Sequence, residues 1–317
     1  MKKLQSKNHF ILAAVFAFMT ICLVAQSAVA QVQIVTSVTD LAAIASEIGG
    51  DKVEVISLAK GYQDPHFVDA KPTFVTQLNQ ADLLVFNGLE LEVGWLPILI
   101  TGARNSNITR SNTVGHYDAS TSIQNKLEVP TTPIDRSMGD IHPGGNPHFM
   151  LDPRNGIVVA RGIAARLIRL DPENAEYYEQ NYNNFKDTLT LKISEWDAQL
   201  SAYKGTKVVT YHKNWTYFLD WAGFIQAGTI EPLPGVPPTP SHVANIITTI
   251  EAQNIPLIIS ANYYPQKTPQ IIAQQTGATS LILPSMVGGE EGITTYAGLF
   301  DVLVTEITSA LSSSAAN

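Results

Sequence analysis

Between Arg154 and Tyr203 the chain is nearly free of Gly and Pro, and only Asp171-Pro172 interrupts it. That pair suits a helix start, with Asp171 as cap and Pro172 at the first helical position. Beyond it, Tyr178, Tyr182, Phe185, Leu189 and Trp196 recur at spacings of three, four and seven. The spacing predicts one helix from Glu173 to about Tyr203, roughly 45 Å long at about 1.5 Å per residue. A helix of that length can run between two lobes. It divides the mature chain into residues 31–170, a connecting helix over 171–203, and residues 204–317.

Both flanks read as α/β. Gln33 to Ser37, Lys52 to Leu58 and Leu83 to Asn87 are apolar, β-branched runs, and Leu41 to Ile48 has helical spacing. After the long helix, Lys207 to Tyr211, Leu257 to Ser260 and Ser280 to Leu283 read as strands, with helices over Trp215 to Ala222 and Pro269 to Thr276. Strands alternating with helices predict two α/β lobes, each a mostly parallel sheet flanked by helices. Val35-Thr36-Ser37 resembles Val209-Thr210-Tyr211, and Lys71-Pro72-Thr73 resembles Pro238-Thr239-Pro240. Such correspondences suggest duplication of one lobe.

Residues 1–30 carry the three parts of an export signal: Lys2, Lys3 and Lys7, the apolar run Phe10 to Ala25, and Ala28-Val29-Ala30 as a cleavage site. The run is short for a membrane-spanning helix. The one cysteine, Cys22, lies inside it, so the mature chain has no thiol for disulfides or metal. Met19-Thr20-Ile21 lacks the small residue that precedes a lipidated cysteine, which favours a free periplasmic protein over a lipoprotein. The net charge of −8 and the absence of a basic patch in the mature chain argue against a nucleic-acid partner.

Six histidines remain after the signal: His66, His116, His142, His148, His212 and His242. His66, His148 and His212 lie in loops that follow predicted strands, where ligands collect in open α/β sheets. Three imidazoles converging there would make a nitrogen-rich site suited to zinc. On spacing alone, each of them reads by default as a surface or turn residue. No HExxH helix, GxSxG elbow, Walker loop or GxGxxG turn is present.

Four stretches carry a family resemblance: Asp64-Pro65-His66-Phe67-Val68-Asp69-Ala70-Lys71-Pro72-Thr73, Asn87-Gly88-Leu89-Glu90-Leu91-Glu92-Val93-Gly94-Trp95-Leu96, Gly145-Asn146-Pro147-His148-Phe149-Met150-Leu151-Asp152-Pro153, and Tyr211-His212-Lys213-Asn214-Trp215-Thr216-Tyr217-Phe218. With the long helix and the export signal, the chain resembles the cluster A-I, TroA-like metal-binding receptors of bacterial zinc and manganese ABC importers, of the zinc type. The resemblance implies two lobes joined by a rigid helix, with the metal in the interlobe cleft. His66 and His148 would then come from the N-terminal lobe and His212 from the C-terminal lobe. It also implies delivery to an importer permease and its ATPase, no catalytic turnover, and a monomer that opens only slightly.

The chain departs from that pattern where the family places a fourth, aspartate ligand. Here the sequence reads Leu283-Pro284-Ser285, with Glu290 and Glu291 just beyond. Either glutamate reaching back, or water, could complete the site. Zn2+ is the first expectation and Mn2+ the second, because imidazoles suit zinc and carboxylate-rich sites suit manganese. Ser137 to Gly145 stands in place of a longer histidine-rich loop, making His142 and Asp140 candidates for metal acquisition and a periplasmic metallochaperone a candidate partner. Asp64 and Asp152 are candidate hydrogen-bond partners for the ligand imidazoles. Other readings are a secreted zinc-dependent hydrolase with a three-histidine site and an open water position, and an adhesin-like surface protein.

Overall fold

A computed structural model describes residues 31–132, 142–233 and 235–315. The export signal, the cleavage site near Ala30 and Asp140 lie outside the described residues. In the N-terminal lobe, β1 (Val32–Thr36), α1 (Thr39–Gly49), β2 (Val53–Ser57), α2 (Pro72–Gln80), β3 (Leu83–Phe86), α3 (Leu96–Ala103) and β4 (His116–Asp118) form a parallel sheet of order β2-β1-β3-β4 with its flanking helices. Helix α4 (Pro153–Leu170) leads into α5 (Ala175–Leu200). The C-terminal lobe comprises β5 (Lys207–Thr210), α6 (Thr216–Ala222), β6 (Ile225–Thr229), α7 (Pro240–Gln253), β7 (Leu257–Ala261), α8 (Lys267–Thr276), β8 (Thr279–Leu283) and α9 (Tyr296–Ala315). Its parallel sheet has the order β6-β5-β7-β8, the same sequence of first, second, third and fourth strands as its counterpart. Lys71 and Thr239 each precede a helix with Pro at its first position, so the local signals noted above occupy matching places.

The long helix follows its sequence pattern, with helical turns over Pro172–Asn174, Ala175–Leu200 and Ser201–Tyr203. The α-helical part spans 26 residues, about 39 Å. Asp171 does not cap the backbone. Its Oδ2 instead accepts from Asn174 Nδ2 and from the Tyr178 hydroxyl, each at 2.7 Å, and so anchors the first turn of α5 by its side chains. Tyr178, Phe185, Leu189 and Trp196 are buried as their spacing predicts, and Tyr182 is half-buried. They face a core that runs without a break from the N-terminal sheet through α4 and α5 to α6 and α9. A smaller core, including Val209, Ile246, Ile258 and Ile272, fills the C-terminal lobe.

Two further contacts lock the lobes behind the cleft. Asp40 on α1 is buried at 2% exposure, and its Oδ1 accepts the Val287 N–H at 2.7 Å from the loop after β8. The Tyr296 hydroxyl on α9 donates to the Met150 carbonyl at 2.6 Å, two residues beyond His148. A Cβ on Gly61 would overlap the Val287 carbonyl oxygen, so glycine is what lets the His66 loop lie against the opposite lobe. Among the described residues, no helix is long and apolar enough to cross a membrane.

Candidate metal centre

His66 and His212 lie in loops that follow strands, and His148 stands just before a short turn that leads into α4. β2 ends at Ser57, and its loop, tied by Asp64 Oδ1 accepting the His66 N–H at 3.0 Å, carries His66 inward. The Trp95 indole N–H holds the same loop through the Pro65 carbonyl at 2.9 Å. His148 precedes a turn over Phe149–Leu151 whose three side chains are buried, and Asn87 Nδ2 fixes the Pro147 carbonyl beside it at 2.7 Å. His212 lies two residues beyond β5. The ligating atoms of His66, His148 and His212 all lie within 4.8 Å of one another, and among the described residues they are the group found able to hold a metal ion. Their ring centroids are 5.1 to 5.8 Å apart.

The ring nitrogens have divided roles. His66 Nδ1 donates to Asp64 Oδ1 and His212 Nδ1 donates to Glu231 Oε2, both at 2.7 Å. Each bond fixes the ring's orientation and tautomer and leaves Nε2 with its lone pair for a ligand. The Nε2 atoms of His66 and His148 are buried without a hydrogen-bond partner among the described residues. Orphaned buried acceptors are costly, and a cation is the partner that satisfies two imidazole lone pairs at once. Burial first, and then the proximity of the His66, His212 and His142 imidazoles, push the His148 imidazole well below its ordinary pKa, so it is neutral and ready to coordinate. Tyr264 leans on the His212 ring at 5.5 Å and stacks on Tyr211 at 4.8 Å, forming an aromatic wall.

The remaining sequence candidates separate clearly. His142 joins the cluster's edge, its ring centroid 5.5 Å from that of His66. Glu290 and Glu291 are exposed in the turn before α9, and neither is in the three-histidine group. Pro284 and Ser285 are buried just after β8, where the family resemblance places the fourth ligand, and Ser285 Oγ donates to the Tyr263 hydroxyl at 3.2 Å. Asp64 partners an imidazole as expected, but Asp152 does not. It accepts the Arg154 N–H as the cap of α4 and grips the Arg154 guanidinium at 2.7 Å. The imidazole partner that sequence reading missed is Glu231. Thr210 and Thr229 are paired in register across β5 and β6, so His212 and Glu231 each stand two residues past that pair. His116 and His242 are engaged elsewhere, with the carbonyls of Ile108 at 2.6 Å and Thr229 at 2.9 Å.

Residues 34–310 match the family described as zinc-uptake complex component A, periplasmic (ZnuA). The chain belongs to the ZnuA family. Among curated relatives, it is 28% identical over 278 residues to the manganese ABC transporter substrate-binding lipoprotein PsaA of Streptococcus pneumoniae, covering 84% of this chain and 86% of PsaA. It is 27% identical over 286 residues to the metal ABC transporter substrate-binding lipoprotein FimA of Streptococcus parasanguinis, covering 87% of each. A crystal structure of ZnuA superposes with a TM-score of 0.73 at 24% identity, over 88% of this chain and 99% of that one, and shares its fold. This ZnuA-family chain is accordingly the metal-binding, extracytoplasmic receptor of an ABC transporter, with a permease and an ATPase as partners. It is a solute receptor and not an enzyme, so the hydrolase reading is set aside.

Proposed function

We propose that the chain is a zinc receptor in which His66, His148 and His212 hold the metal through Nε2. The observation that carries this reading is the donor set. Three imidazole nitrogens converge, while the two adjoining carboxylates, Asp64 and Glu231, are engaged on the far side of the rings. A nitrogen-only set favours zinc, and manganese favours oxygen donors in six-coordinate sites. Four-coordinate zinc needs one more donor, for which His142, its ring centroid 5.5 Å from that of His66, is a candidate, with water as the alternative. We assign residues 1–30 as a cleaved export signal and the periplasm as the site of action, with the mature monomer passing zinc to its permease.

The test is equilibrium competition between zinc and manganese for the metal-free mature protein, against a chelator of known affinity. The expected result is one zinc per chain, bound at least about tenfold more tightly than manganese, in line with the ordering of nitrogen sites. Tighter binding of manganese would overturn the choice of metal.

A further inference from the structure

One amide joins two of the three ligand-bearing loops. Asn146 is 6% exposed and its side chain uses both ends. Oδ1 accepts the backbone N–H of His148 at 2.9 Å. Nδ2 donates to the Lys213 carbonyl at 2.8 Å and to Glu128 Oε2 at 2.9 Å. Lys213 directly follows His212, so a single planar group bonds the backbone of one ligand in the N-terminal lobe and the backbone next to one in the C-terminal lobe. The amide has one workable orientation, since an N–H must meet Oδ1 and two acceptors must meet Nδ2. Outside the strut, Glu128 Oε1 accepts from the partly exposed Lys213 ammonium at 2.8 Å.

Close by, the Asn146 N–H donates to the Leu127 carbonyl at 2.8 Å. The Leu127 N–H in turn donates to the Tyr217 hydroxyl across the cleft at 2.9 Å. Residues 127 and 128 are therefore clamped between the lobes, with Glu128 held in the left-handed region at φ 52°.

We propose that Asn146 is a positioning residue that sets the separation of His148 from His212, and through it the coordination geometry imposed on the metal. The inference rests on reading those two histidines as ligands. A metal site defined by residues from two lobes is only as rigid as the link between them. An error on the order of 1 Å in one imidazole exceeds the tolerance of roughly 0.2 Å on zinc–nitrogen distances. The ion pair contributes little by comparison, because Lys213 and Glu128 have side chains 47% and 31% exposed.

The experiment compares wild type, Asn146→Ala, Asn146→Asp and Lys213→Met by zinc titration, by the visible absorption of bound cobalt(II), and by apo-protein melting. Asn146→Asp keeps the acceptor for His148 but loses both donor bonds, with little change of shape. Both Asn146 variants are expected to bind zinc about 10- to 100-fold more weakly, the usual cost of losing an outer partner. They should also show a weakened or shifted cobalt band, which a purely structural role would not produce. Lys213→Met should stay within about threefold of wild type. If Asn146→Ala does not fold, Asn146→Asp decides. Wild-type affinity and cobalt spectrum in a folded Asn146 variant, even one that melts earlier, would overturn the inference alone. Failure of the wild type to bind cobalt or zinc would overturn the ligand reading and this inference with it.

Discussion

His148→Ala is expected to lower zinc affinity by about 10²- to 10³-fold. A structural zinc site is worth about 10–16 kcal/mol, so each of three or four ligands accounts for roughly 3–4 kcal/mol. His148 is the central case because its imidazole is buried and held neutral by that burial. No proton has to leave before the metal binds. His66→Ala and His212→Ala should weaken zinc by similar factors but differ in the metal-free protein. Removing His212 takes the imidazole N–H from the buried Glu231 carboxylate and leaves Oε2 only the longer Gly235 N–H bond at 3.4 Å, whereas His148→Ala leaves a cavity. Apo melting should therefore fall further for His212→Ala than for His148→Ala. A chelator-competition titration measures the affinities; wild-type affinity in any one of the three variants would remove that residue from the site.

The second large effect concerns pH. Burial lifts the Asp40 carboxyl to about 7, against the smaller opposing pull of its Val287 N–H bond. A carboxyl with a higher pKa folded than unfolded binds its proton more tightly in the native state, so its contribution to stability falls as pH rises. For Asp40 the loss begins near the unfolded value of about 4 and is complete above about 7. Between pH 5 and 8 it amounts to about 2–3 kcal/mol. Glu92, also lifted to about 7 by burial, adds in the same direction. His148 opposes them, because its depressed pKa gains stability as pH rises through the unfolded imidazole range.

Asp40→Asn isolates one group from the rest. The amide oxygen can still accept from Val287, and the group no longer titrates. Urea unfolding of the metal-free variant should show a stability slope flatter by about 2–3 kcal/mol across pH 5 to 8 than wild type. Tyr263 and Tyr296, which feel the Asp40 charge, are both pushed up by burial and stay neutral across that range. Parallel pH profiles for the two proteins would show that Asp40 is ionised in the fold throughout.

Much of this architecture was legible because its elements bury whole faces. Ile34, Val35, Leu83, Leu84, Val85, Ile258 and Ile259 lie in strands covered on both sides, and such runs announce themselves as continuous apolar stretches. The strands missed, β4 and β6, are the sheet edges paired to Leu84–Phe86 and Lys207–Thr210. β4 has three residues, and β6 is nowhere fully buried. Neither carries a hydrophobic signature. The three histidines could be singled out because each sits in a motif, but their convergence depends on the lobes facing each other, which no local spacing encodes. Glu231 and Asn146 were opaque for the same reason. Their partners are 19 and 67 residues away, reached through strand register and across the cleft.

Zinc K-edge X-ray absorption on the zinc-loaded mature protein tests most directly whether these imidazoles hold the metal. The expected spectrum has a first shell of nitrogen and oxygen at about 2.0–2.1 Å, with the outer-shell scattering of at least three imidazole rings. A fourth ring would place His142 on the metal. Fewer than three rings, or a six-coordinate shell dominated by carboxylate oxygen, would contradict the three-histidine site.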